Sequence, residues 1–124
     1  MAVHILLIDD SELILQMLEM VCQQAGYRST TCAIFADVAS KASLDIDLII
    51  TDLNMPDIPG GDPVAALRQI EGLASKPIIL LSGQPSKKLQ AEAQERGAEA
   101  ALSKDDGLPG LMVGLPPLVE RFTS

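Results

Sequence analysis

An α/β fold, a five-stranded parallel sheet with helices on both faces, is predicted by three features of the sequence. Five short apolar runs alternate with segments whose apolar residues recur at helical spacing. The runs at residues 3–8, 48–51 and 77–81 are nearly continuous rather than alternating, as in strands buried on both sides. Strand and helix follow one another five times, which favours parallel strands joined by right-handed crossovers.

The first run, residues 3–8, stops at Asp9 and Asp10. Leu13, Ile14, Met17, Leu18, Val21 and Cys22 then recur at helical spacing, with Ser11 or Asp10 as cap and Gly26 as terminator. Residues 28–32, rich in Ser and Thr, make a weaker strand expected at a sheet edge, followed by a short helix within residues 35–42. The strand at 48–51 leads into Asp52 and a turn-rich loop, residues 54–61, and Asp62 and Pro63 are a cap and first-turn proline for a helix to about Ile70. The fourth strand, 77–81, precedes a helix over 86–96 closed by Gly97. Its buried face holds only Leu89 and alanines, so it is expected to be thinly anchored and mobile. After a fifth strand at 100–102, Leu108, Leu111, Met112, Leu115, Leu118 and Phe122 keep helical spacing, but Pro116 and Pro117 interrupt it. Interior proline costs about 3 kcal/mol, so the final helix is expected to break near Leu115.

With 124 residues the chain is expected to be one domain spanning residues 1–124 and to bury a self-sufficient core. That core is aliphatic, because the aromatics are only Tyr27, Phe35 and Phe122, which also disfavours nucleic-acid recognition by stacking. A formal net charge of −8 repels phosphate backbones and anionic membranes. Cys22 and Cys32 lack the spacing of a metal or redox motif and read as buried thiols. The first apolar run is too short for a signal-peptide core or a membrane span, so a cytoplasmic protein is expected. His4 lies within an apolar run and reads as structural.

Chemistry-bearing residues fall at four strand ends: Asp9 and Asp10, then Asp52, Ser82 and Lys104. Singly, each has a plainer reading as helix cap, turn residue or surface charge. Jointly they belong in the crevice beyond the carboxyl ends of a parallel sheet, where distant residues meet. Three acids, a hydroxyl and an amine suit metal-assisted phosphoryl transfer onto a carboxylate. Converging carboxylates raise one another's pKa unless a cation sits among them, and an all-oxygen pocket suits Mg²⁺.

This set, with the stretch Leu48-Ile49-Ile50-Thr51-Asp52-Leu53-Asn54-Met55-Pro56 and with Gly83 after Ser82, resembles the receiver domain of two-component response regulators over essentially the whole chain. The resemblance implies the CheY-like, flavodoxin-like strand order 2-1-3-4-5. It implies Asp52 as acceptor of a phosphoryl group from a histidine kinase or histidine phosphotransfer protein. Asp10 and Asp52 would ligate Mg²⁺, with Asp9 nearer or through water and the Asn54 backbone carbonyl completing the set. Lys104 and Ser82 would each meet one oxygen of the phosphoryl group. Phosphorylation would then switch the face around the fourth helix and fifth strand toward a downstream output protein or domain.

Three departures bear on the switch. The family commonly has Tyr or Phe where this chain has Ala101, and proline after the lysine where it has Asp105, with Asp106 adding a second acid. The expected break in the last helix is the third. Phosphorylation is therefore expected to act by drawing Ser82 inward and re-ordering the loop and helix beyond it. A pseudo-receiver scaffold is the alternative favoured by Ala101 and Asp105. A phosphatase with an aspartyl nucleophile would need an acid where Asn54 stands, so the chain is not expected to be an enzyme, although self-dephosphorylation past Asn54 and Gln84 is expected. A flavin-binding relative would want a phosphate loop where Asp9, Asp10 and Glu12 stand.

Overall fold

A computed structural model of the chain describes residues 2–42, 45–83, 86–105 and 107–123. Its elements are β1 (His4–Ile8), α1 (Glu12–Ala25), β2 (Arg28–Cys32), α2 (Val38–Lys41), β3 (Leu48–Asp52), α3 (Pro63–Arg68), β4 (Ile78–Ser82), α4 (Ser86–Arg96), β5 (Ala100–Ser103) and α5 (Gly107–Thr123). Short 3-10 turns precede α2 (Phe35–Asp37) and α3 (Pro59–Gly61). All strand pairs are parallel, in the order β2-β1-β3-β4-β5 that the resemblance implies.

The three central strands are buried along their whole length, whereas edge strand β2 exposes Arg28 and half-buries Ser29, Thr30 and Thr31. Alternation sorts the strand side chains into two cores. Ile5, Leu7, Leu48, Ile50, Ile79 and Leu81 pack with Leu15, Leu18, Val21 and Cys22 of α1 and Leu111, Leu115 and Val119 of α5. Leu6, Ile8, Ile49, Ile78, Leu80 and Ala101 pack on the opposite side with α3 and with Leu89 and Ala93 of α4.

Local signals set the helix ends. Ser11 caps α1 by accepting from the Ile14 N–H at 3.3 Å, and Gly26 ends it in the left-handed region at φ 82°. Asp62 caps α3, which begins at Pro63 and ends at Arg68, slightly before Ile70.

The expected break in the last helix does not occur: α5 is one helix from Gly107 to Thr123 with Pro116 and Pro117 inside it. Leu111, Leu115 and Val119, fully buried at spacings of four, anchor it on both sides of the prolines. The missing proline N–H groups would have bonded the carbonyls of Met112 and Val113, residues 40% and 77% exposed, where water can take their place. Packing of a buried apolar stripe thus outweighs low intrinsic propensity.

Cys22 and Cys32 are buried and unpaired as disulfides. Burial, and secondarily the charge of Glu19, pushes the Cys22 thiol from 9.0 up to about 11. A pKa raised by folding contributes stability that is complete below pH 9 and lost as pH rises through about 11. Urea unfolding of the wild type is expected to lose up to about 3 kcal/mol across that window through this thiol. In Cys22→Ala the alkaline slope should be shallower, and identical slopes would exclude the effect.

His4 is also buried. Its Nε2 lies 2.7 Å from Thr30 Oγ1 and its Nδ1 3.2 Å from Asp45 Oδ2, while its backbone N–H donates to Asp47. These contacts sit at the start of β1, at the other end of the strand from Asp9.

Candidate phosphoacceptor site

Three backbone hydrogen bonds hold the strand ends in place. The Asp9 N–H donates to Cys32, the Leu53 N–H to Leu81, and the Lys104 N–H to Ser82, at 3.1, 3.1 and 2.9 Å. Strand alternation then decides direction. Asp9 continues the series Ile5 and Leu7, Asp52 the series Leu48 and Ile50, and Lys104 the series Ala100 and Leu102, all on the α1/α5 side. Ser82 continues Ile78 and Leu80 toward α4, on the side that also holds Ala101.

The three residues on the common side meet. Lys104 Nζ lies 2.8 Å from Asp9 Oδ2 and 3.2 Å from Asp52 Oδ1. The Ser11 N–H donates to Asp9 Oδ1 at 2.9 Å, and the Asn54 N–H to Asp52 Oδ1 at 3.4 Å. Asp9, Asp10 and Asp52 each offer an oxygen within 4.8 Å of the others, Asp9 and Asp52 from buried positions and Asp10 from an exposed one. Ser82, 2% exposed, ends β4 beside them in the register, one residue beyond the partner of Asp52.

The electrostatics fit a cation. Burial raises the Asp9 carboxyl above its ordinary value, and the nearby Asp52 charge adds to this, despite hydrogen bonds from Lys104 and Ser11. Burial lowers the Lys104 ammonium, but Asp9 and then Asp52 outweigh it, so its pKa lies above that of ordinary lysine. Three oxygen donors around one point, short of balancing positive charge, match a hard divalent ion.

All of Asp9, Asp10, Asp52, Ser82 and Lys104 thus lie at one end of the sheet. Asn54 is exposed and follows Asp52, with its N–H turned to the Asp52 carboxylate. Asp105 follows Lys104, and no peptide bond among the described residues is cis. Gln84 and Asp106, both read above as bearing on the site, lie outside the described residues.

Two tethers of the loop after Asp52 escaped the sequence reading. Asp57 accepts from the Phe35 and Ala36 N–H groups at 3.3 and 3.0 Å, and Asp62 pairs with Arg96 of α4 at 3.2 Å. Both acids stood in a loop dense with turn residues, where an acid is ordinarily a local cap, and neither partner is near in sequence.

Among curated proteins the chain is 30% identical to the transcriptional regulatory protein KdpE of Mycobacterium tuberculosis H37Rv over 97% of this chain and 52% of that one. It is also 30% identical to the two-component response regulator ORR3 of Oryza sativa subsp. japonica, over 82% of this chain and 79% of that one. It therefore spans about half the length of KdpE. Among solved structures, the chemotaxis response regulator CheY4 of Vibrio cholerae superposes with a TM-score of 0.79 at 31% identity, covering 95% of this chain and 99% of that one. No helix among the described residues is long and apolar enough to cross a membrane. The family model described as the response regulator receiver domain matches residues 5–113, and with this sheet order and this carboxylate cluster the chain belongs to that family.

Proposed function

We propose that Asp52 accepts a phosphoryl group from the phosphohistidine of a histidine kinase or phosphotransfer protein, in a Mg²⁺-dependent reaction, and that the chain is a cytoplasmic signalling module rather than an enzyme that turns over outside substrates. The observation that carries this is the meeting of Asp9, Asp10 and Asp52 within 4.8 Å with Lys104 seated on Asp52. Asp9, Asp10, Asp52 and the Asn54 carbonyl would hold the ion, which supplies charge neutralisation between acceptor and phosphate.

In the transfer an Asp52 carboxylate oxygen attacks phosphorus as the bond to the donor imidazole nitrogen breaks, and the leaving nitrogen keeps its electron pair. Lys104 exchanges its carboxylate partners for an equatorial phosphoryl oxygen, where a fixed cation counts most. Ser82 reaches a second oxygen only by turning from the α4 side of the sheet. That turn would disturb the face around α4 and β5, which the downstream partner reads. With Ala101 in β5, no ring rotation contributes to the change.

Incubation with Mg²⁺ and a small acyl phosphate tests the reading by intact mass. The wild type is expected to gain one phosphate and Asp52→Asn none. Folded protein with no gain would select the pseudo-receiver scaffold, and sustained phosphate release from unrelated esters would select the phosphatase. Equal hydrogen-exchange rates across residues 82–97 with and without phosphate would count against the proposed switch.

A further inference from the structure

Helix α4 buries only Leu89 and Ala93 among the described side chains, so its polar tethers weigh heavily in its placement. One is Gln90, which donates to the Ala101 carbonyl at 2.9 Å. The other is a cluster at its last turn. Arg96 Nη1 lies 3.2 Å from Asp62 Oδ1, and Arg96 Nη2 lies 3.2 Å from Glu92 Oε1 one turn back.

The Asp62 oxygen is also the cap of α3, accepting from the Val64 and Ala65 N–H groups at 3.0 and 3.4 Å. Asp62 closes the loop that starts at Asn54, whose N–H is bonded to Asp52. One charged contact therefore joins the far end of the acceptor loop to α4.

The cluster has room for a second arrangement. Glu92 Oε2 and Arg96 Nε are buried and have no hydrogen-bond partner among the described residues. A guanidinium turned onto Glu92 would satisfy both through a side-on bidentate pair of Nε and Nη2, which leaves Nη1 to keep or lose Asp62. The same three side chains thus have one arrangement with Asp62 held and one with Glu92 alone, the kind of paired state that coupling between sites uses.

We propose that Arg96 is a positioning residue that carries the state of Asp52 to α4: it bridges Asp62 and Glu92 before phosphorylation and turns to Glu92 alone afterward, releasing the helix. The inference rests on the phosphoacceptor reading above. Phosphorylation removes negative charge from the Asp52 oxygen that Asn54 N–H and Lys104 share, the loop shifts, and its other end draws Asp62 from Arg96.

The test uses the full chain with Mg²⁺, with and without a small acyl phosphate, reading intact mass and hydrogen exchange over residues 86–97. In the wild type, phosphate is expected to speed exchange in α4. Asp62→Asn keeps a good helix cap but loses the charge, so its α4 should exchange at the fast rate before phosphate is added and show no further change. Arg96→Met should behave likewise. Glu92→Gln removes the alternative partner, so α4 should stay slow even when phosphorylated. Each variant should still gain one phosphate. If every chain gains phosphate and α4 of Asp62→Asn responds as the wild type does, or α4 of the wild type does not respond, the inference alone is overturned. If the wild type gains no phosphate, the phosphoacceptor reading fails and the inference falls with it.

Discussion

Lys104→Met is expected to slow phosphate uptake on the order of 10²–10³-fold, the loss typical when one preorganised group facing transition-state charge is removed. The same substitution should destabilise the metal-free protein by on the order of 3 kcal/mol, because it strands the fully buried Asp9 and the nearly buried Asp52 without their cation. Saturating Mg²⁺ should restore most of that stability, and the ion should bind on the order of tenfold more tightly once it no longer meets a resident ammonium. Urea unfolding at neutral pH with and without Mg²⁺, beside the rate of mass gain, separates the effects. A variant with unchanged stability and unchanged Mg²⁺ affinity would show that Lys104 does not hold the carboxylates. The lysine's own contribution has a defined pH range. Its pKa is raised on folding, so its stabilisation is complete below 10.5 and is lost only as pH climbs through the higher folded value.

Leu115→Ala is expected to lower stability by about 2–5 kcal/mol, since it empties a fully buried site in the core that α5 shares with α1 and the sheet. That is a large part of a domain's usual margin of about 5–15 kcal/mol. The position is more sensitive than its volume suggests, because the helix on its C-terminal side lacks two backbone donors and depends on packing. Val113→Ala, at a site 77% exposed, should change stability by less than about 0.5 kcal/mol. Circular dichroism during urea unfolding tests both, and an equal effect at the two positions would mean that the buried stripe does not hold α5.

The contrast between these positions also shows what the sequence could tell. Strands β1, β3 and β4 were legible because residues buried on both faces form unbroken apolar runs. The carboxylate and hydroxyl positions were legible because they end those runs, and the amine because it follows the fifth strand. The course of α5 was not, because a propensity scale weighs Pro116 and Pro117 against an isolated helix, whereas Leu111, Leu115 and Val119 act only once a sheet is there to receive them. The Asp62 to Arg96 contact was hidden for a different reason. Glu92 and Arg96 stand at the spacing of a local helix pair, and nothing in that spacing announces a third partner from another helix.

The ammonium seated between Asp9 and Asp52 supplies one positive charge to a pocket of three carboxylates. Each of these buried acids therefore has a cationic partner from within the chain, so folding leaves neither carboxylate alone in the interior. In the proposed transfer the same amine would leave them, so one side chain serves the buried interior and the reaction in turn.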